Sequence, residues 1–148
     1  MTIIAWDGKT LAADRQATSG YIKVGTTKIV KCPTTGRLIG SAGGMGSAQL
    51  MMQWILDGED MSKYPPCQND KDDWARIIIV NPDGTLNEYE RLPKKLVLQP
   101  IEGYHAIGIG REVALGALAM GADARTAVAI ASTYVDGCGL GIDTLTLD

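Results

Sequence analysis

The chain opens on an almost uninterrupted apolar run and then settles into segments of two different periods. Thr2 to Trp6 is apolar and rich in β-branched residues, Asp7-Gly8 is a dipeptide favoured in two-residue hairpin turns, and Thr10 to Ala13 runs back toward the terminus. A hairpin of this length delivers Asp14 close to the first residues of the chain. After Ser19-Gly20, a short strand is expected at Tyr21–Val24 and a turn at Gly25-Thr26-Thr27. Alternation over Lys28-Ile29-Val30-Lys31-Cys32 then predicts a half-buried strand, with Lys28 and Val30 on one face and Ile29 and Lys31 on the other. Pro33 to Gly36 is a turn by residue type, and Arg37 to Ala42 is the next strand.

The period changes after Gly43-Gly44-Met45-Gly46. Ser47 is positioned to cap a helix in which Leu50, Met51, Trp54 and Ile55 form a core-facing stripe, and Asp57-Gly58 ends it. From Glu59 to Asp73 the chain is polar, with Pro65-Pro66 and the run Asp70-Lys71-Asp72-Asp73, which reads as a surface connection. Ile77 to Val80 is a buried strand, Asn81 to Gly84 a turn, and Leu86 to Leu92 a returning strand whose Glu88 and Glu90 are expected in solvent. Strands at Lys95–Gln99 and Tyr104–Gly108 precede two Ala-rich helices. The first, Glu112 to Met120, stops at Gly121; the second is capped by Asp123 and runs to Val135. A loop at Gly137–Gly141 and a strand at Ile142–Leu147 complete an α+β order in which helices cover antiparallel sheets.

Composition narrows the function classes. A chain of 148 residues with 45% hydrophobic content fits one domain, 1–148, with a sizeable core. The absence of a bilayer-length apolar run and of a basic-plus-apolar leader leads to the expectation of a cytoplasmic protein with no membrane role. A net charge of −3 with scattered Lys and Arg offers no basic stripe for nucleic acid. Cys32, Cys67 and Cys138 have no metal-binding spacing and are odd in number, so reduced thiols are expected. Ser41 to Ser47 lacks the Gly-Lys-Ser/Thr ending of a phosphate loop, and Val113 stands where a dinucleotide fingerprint needs its third glycine. His105 sits in a strand-like apolar context that suits a structural role.

The chemistry sits at the beginning of the chain. If Met1 is trimmed, Thr2 carries a hydroxyl nucleophile and an α-amine on one residue, and such an amine is partly neutral near pH 7 and can act as the base. No histidine is then required. The ordered set Thr2, Asp14-Arg15-Gln16-Ala17-Thr18, Lys28-Ile29-Val30, Ser41-Ala42-Gly43-Gly44 and Ala106-Ile107-Gly108-Ile109-Gly110 before a helix resembles the proteasome β-subunit family, especially its bacterial branch HslV. The resemblance runs over nearly the whole chain and implies the αββα four-layer sandwich of the N-terminal nucleophile hydrolases, here a compact variant with the second helix reduced. It makes Thr2 the nucleophile, with Asp14 and Lys28 beside it, Gly43 N–H as oxyanion donor and Asp136 as a supporting aspartate. A lysine ammonium near the threonine favours the alkoxide and the neutral form of the amine, while Asp14 holds the lysine charged and oriented.

The implied activity is that of a threonine peptidase acting on peptides or unfolded proteins, assembled as a homo-oligomeric ring and fed by an ATP-dependent unfoldase, with no metal or organic cofactor. A catalytically silent assembly subunit of the same fold is the alternative, and an amidase for small substrates a third. Two departures from the family pattern stand out. Gly108-Ile109-Gly110 replaces a Gly-Ser-Gly turn, and the polar segment after the first helix is too short for the family's long second helix.

Overall fold

A computed structural model describes residues 1–67, 74–93 and 95–148. The acidic run Asp70-Lys71-Asp72-Asp73 of the expected surface connection lies outside the described residues. Eleven strands and three α-helices are described: β1 (Ile3–Trp6), β2 (Thr10–Asp14), β3 (Gln16–Ser19), β4 (Ile22–Gly25), β5 (Ile29–Lys31), β6 (Leu38–Gly43), α1 (Met45–Leu56), β7 (Ala75–Val80), β8 (Leu86–Leu92), β9 (Lys95–Ile101), β10 (His105–Gly108), α2 (Arg111–Ala119), α3 (Ala124–Tyr134) and β11 (Ile142–Thr146). A 3₁₀ turn at Met61–Lys63 follows α1. The strands form a four-stranded sheet in the order β10-β1-β2-β11, a five-stranded sheet β5-β6-β7-β8-β9 and the separate hairpin β3-β4. Every pairing is antiparallel.

Side-chain alternation explains why β1 is apolar at every position. Successive side chains of a strand point to opposite faces. Ile3 and Ala5 pack with α2 and α3 against Ala114, Leu118, Ala127, Val128 and Ala131. Ile4 and Trp6 point the other way, into a cluster with Leu38, Ile78 and Val80 of the five-stranded sheet. In β7 the same rule divides Ile78 and Val80 from Ile77 and Ile79, which meet Met51, Trp54 and Ile55 of α1. The result is a compact α+β chain in which α2 and α3 pack on β1 and α1 packs on β7. Among the described residues no helix is long and apolar enough to cross a membrane.

Several local expectations are corrected. The register Trp6↔Leu11 places Gly8-Lys9, not Asp7-Gly8, at the hairpin tip. Asp7 instead accepts from the backbone N–H groups of Lys9 and Thr10 with Oδ1, and from Ala124 N–H with Oδ2, tying the turn to the start of α3. Gln16–Ser19 forms a strand that was not expected from the sequence. α1 begins two residues before Ser47, which is buried inside the helix and receives a hydrogen bond from Arg91 at 3.0 Å instead of capping it. Lys28 and Ile29 are both buried despite their alternation, because the lysine is drawn inward to a carboxylate. Glu88 is only 3% exposed, since Arg76 and His105 both reach it.

Candidate active site

Asp14 is the last residue of β2, where the strand emerges beside the start of β1. Its carboxylate is fully buried and accepts four hydrogen bonds. Oδ1 receives Ile3 N–H at 3.0 Å and Lys28 Nζ at 2.8 Å, while Oδ2 receives Gln16 N–H at 3.2 Å and Gly139 N–H at 3.0 Å. A buried carboxylate is tolerated when its lone pairs are occupied in this way. Lys28, just before β5, is 7% exposed, and its ammonium also donates to the Met1 carbonyl oxygen at 2.8 Å. The lysine thus bridges a buried carboxylate and the carbonyl that immediately precedes Thr2.

Thr2 lines two cavities that meet at it. The first, about 230 Å³, lies between Thr2, Lys28, the β3 residues Ala17 and Thr18, and the α1 residues Met45, Ala48 and Gln49. The second, about 340 Å³, is bounded by Trp74, Gly108, Ile109 and Arg111. Gly43 lines both. It ends β6 with φ of +134°, and a Cβ there would fall 2.2 Å from the Trp74 carbonyl oxygen, so only glycine fits. The Gly44 N–H is taken by that same carbonyl at 3.1 Å. Gly108 presses on Thr2 from the β10 side. A Cβ at Gly108 would fall 2.1 Å from the Thr2 carbonyl oxygen, and Gly110 N–H donates to that oxygen at 3.3 Å.

The structure therefore brings Thr2, Asp14, Lys28 and Gly43 together. It does not bring Asp136 to them. That residue is exposed beyond the end of α3 and lines a separate cavity with Lys23 and Tyr134. The loop following it reaches the site through its glycines, Gly139 by its hydrogen bond to Asp14 and Gly137 by close packing under the Met1 side chain. Gly139 and Trp74 were not expected at the site from the sequence, whereas Gly108 belongs to the Gly108-Ile109-Gly110 turn singled out there; the paired glycines of Gly137-Cys138-Gly139 were the available signal for the first. Cys138 between them is buried, and burial and the Asp14 charge push its thiol up to about 11, partly countered by Lys28. It is a neutral thiol, not a competing nucleophile. Among the described residues no three or more His, Cys, Asp or Glu side chains are grouped to hold a metal ion.

No protein-family model matches the chain, and no curated protein matches it. Its fold is similar to that of BPH from Thiobacillus denitrificans, solved in complex with epoxomicin, at a TM-score of 0.68 and 17% identity over 100% of both chains. It is also similar to a Gly-1 mutant of Anbu from Hyphomicrobium sp. strain MC1, at a TM-score of 0.70 and 12% identity over 99% of this chain and 81% of that one. Anbu, described as an ancestral beta-subunit, from Yersinia bercovieri gives 0.67 and 12% over 98% and 80%. These findings correct the expected placement in the proteasome β-subunit family near HslV: no family model matches the chain, and BPH and Anbu are among the structures it is similar to. The chain has a proteasome-related fold, and at these identities the likeness establishes the fold alone.

Proposed function

We propose that this chain is a threonine-type peptidase in which Thr2, freed by removal of Met1, is an N-terminal nucleophile. The observation that carries the reading is the Lys28 ammonium, buried between the Asp14 carboxylate and the Met1 carbonyl beside Thr2. Loss of Met1 removes that carbonyl and leaves the ammonium facing the new terminus. The Thr2 α-amine takes the hydroxyl proton, and Oγ attacks a peptide carbonyl. The oxyanion is met by the Gly43 N–H, one such donor contributing about 2.7–4 kcal/mol to barrier lowering. The amine then returns its proton to the departing amine, leaving an ester on Thr2. A water deprotonated by the same amine attacks this ester, and the hydroxyl is regenerated.

The reading extends to a four-layer αββα arrangement, to peptides or unfolded proteins as substrates, and to a symmetric homo-oligomeric ring served by an ATP-dependent unfoldase. Support for assembly comes from exposed apolar side chains, including Tyr21 and Ile22 on the β3-β4 hairpin and Tyr134 on α3. Light scattering at micromolar concentration tests it, and a monomer with full activity would contradict the ring. A second reading, a catalytically silent subunit, is favoured by Ile109, which lines the second cavity without any polar side-chain atom to offer.

The deciding experiment is intact mass spectrometry before and after treatment with epoxomicin, the compound carried by the similar structure of BPH. The peptidase reading expects a chain lacking Met1, an epoxomicin-dependent mass gain, and loss of both the gain and peptide turnover in Thr2→Ala. Retention of Met1 together with turnover unaffected by Thr2→Ala would overturn it.

A further inference from the structure

The two cavities flanking Thr2 differ in charge. In the first, the lining cation is Lys28, which is committed to Asp14. In the second, the cation is Arg111, and its guanidinium has no carboxylate partner among the described residues, whereas Arg15, Arg37 and Arg76 each pair with an aspartate or glutamate. One of its five donors is used: Nη1 donates to the Gly108 carbonyl at 3.2 Å. Gly108 is the residue pressed against the Thr2 backbone, so this bond holds the guanidinium one residue away from the nucleophile. Trp74 and Ile109 give the same cavity apolar walls, while Arg111 itself is exposed, so a pairing made there is modest and screened by salt. Glu112, the adjacent acidic residue, is exposed and does not line the cavity.

We propose that Arg111 makes the second cavity a carboxylate-binding subsite, so that the favoured substrates are peptides with a carboxylate close to the scissile bond. The inference rests on the peptidase reading for its role, but it can be tested by binding alone. The carboxylate has two possible sources, a free peptide C-terminus or an Asp or Glu side chain, and both offer the planar oxygen pair that a guanidinium recognises.

The test measures binding of matched short peptides to the Thr2→Ala chain by isothermal titration, with whichever terminus intact mass shows. One pair differs as C-terminal free acid against amide, the other as Asp against Asn beside the scissile position. The acid form of at least one pair should bind about three- to tenfold more tightly, a preference that shrinks as salt rises. R111Q, which keeps a donor for Gly108, should abolish the preference, and R111K should keep part of it. The responding pair identifies the source. Equal binding of acid and neutral forms, or a preference that survives R111Q, overturns the proposal. Because the chain used cannot turn over substrate, that outcome is separate from a failure of wild-type protein to cleave any peptide, which would count against the peptidase reading instead.

Discussion

Lys28 Nζ stands 2.8 Å from Asp14 Oδ1 with both side chains withdrawn from solvent, and Asp14 also accepts three backbone N–H groups from Ile3, Gln16 and Gly139. The pair therefore does two jobs. It sets a cation beside Thr2, and it pins the start of β1, the start of β3 and the loop after α3 to one carboxylate. Its energetic weight differs from that of an exposed pair, which contributes about 0–1 kcal/mol.

The first prediction concerns Lys28→Ala. Removing one partner of a buried pair costs about 3–5 kcal/mol, and the three remaining N–H donors on Asp14 keep the expected loss at the low end. Urea unfolding should show the loss of stability. In the fraction that remains folded, peptide turnover should fall by at least about 100-fold, as expected when proton transfer loses its electrostatic support. Wild-type turnover in the folded variant would remove Lys28 from the mechanism.

A second prediction separates two glycines of the same region. Gly43→Ala drives a Cβ to 2.2 Å from the Trp74 carbonyl oxygen at φ of +134°, so the β6-β7 edge must move. Both a stability loss of about 1–3 kcal/mol and a fall in kcat of about 100- to 1,000-fold are expected. Gly46→Ala is the control. It lies within α1 with nothing within 4 Å of the added Cβ, and should stabilise the protein by up to about 1 kcal/mol. Thermal unfolding and initial rates on one peptide substrate measure both variants.

What was legible in the sequence was what local rules govern. The apolar run of β1, the Asp123 cap, which accepts Thr126 N–H at 2.8 Å, and the turn closed by Gly84 N–H to Asn81 at 2.8 Å follow from neighbours in the chain. The juxtaposition of Asp14 with the terminus followed from the length of the hairpin. Long-range pairing was not legible. Ser47 has the side chain of a helix cap, and only the arrival of Arg91 from β8 makes it a buried acceptor. Asp136 occupies the right stretch of sequence, yet the left-handed glycines at 137 and 139 turn the chain so that backbone, not carboxylate, meets the site.

Glu88 gives the third prediction. Alternation along β8 placed it in solvent, but it is buried between Arg76 Nε at 3.0 Å and His105 Nε2 at 2.6 Å, and so links β8 to β10 of the other sheet. Glu90, one alternation further along the strand, pairs with Arg76 Nη2 at 2.8 Å while 24% exposed. Glu88→Ala should therefore cost about 3 kcal/mol or more, and Glu90→Ala less than about 1 kcal/mol. Equal urea midpoints for the two variants would show that the inter-sheet contact carries no special weight.

The final prediction concerns pH and the cysteine behind the site. Burial, and secondarily the Asp14 charge, raise the Cys138 thiol from 9.0 to about 11. Between those values the unfolded chain releases the thiol proton while the folded chain keeps it, so the folded state binds more protons and its stability falls as pH rises. The contribution is fully present below the unfolded value and lost as pH climbs through the folded one, with a slope of at most about 1.4 kcal/mol per pH unit. Other groups titrate in the same range, so the informative quantity is the difference between wild type and Cys138→Ala. Urea unfolding at intervals from about pH 8 to about pH 10.5 should show the wild type losing stability faster than the variant, the two curves closing or crossing as pH rises. Asp14→Asn should reduce that divergence by withdrawing the neighbouring negative charge. Parallel curves for wild type and Cys138→Ala would mean that the thiol ionises equally in both states, and that its surroundings are open to water rather than closed around it.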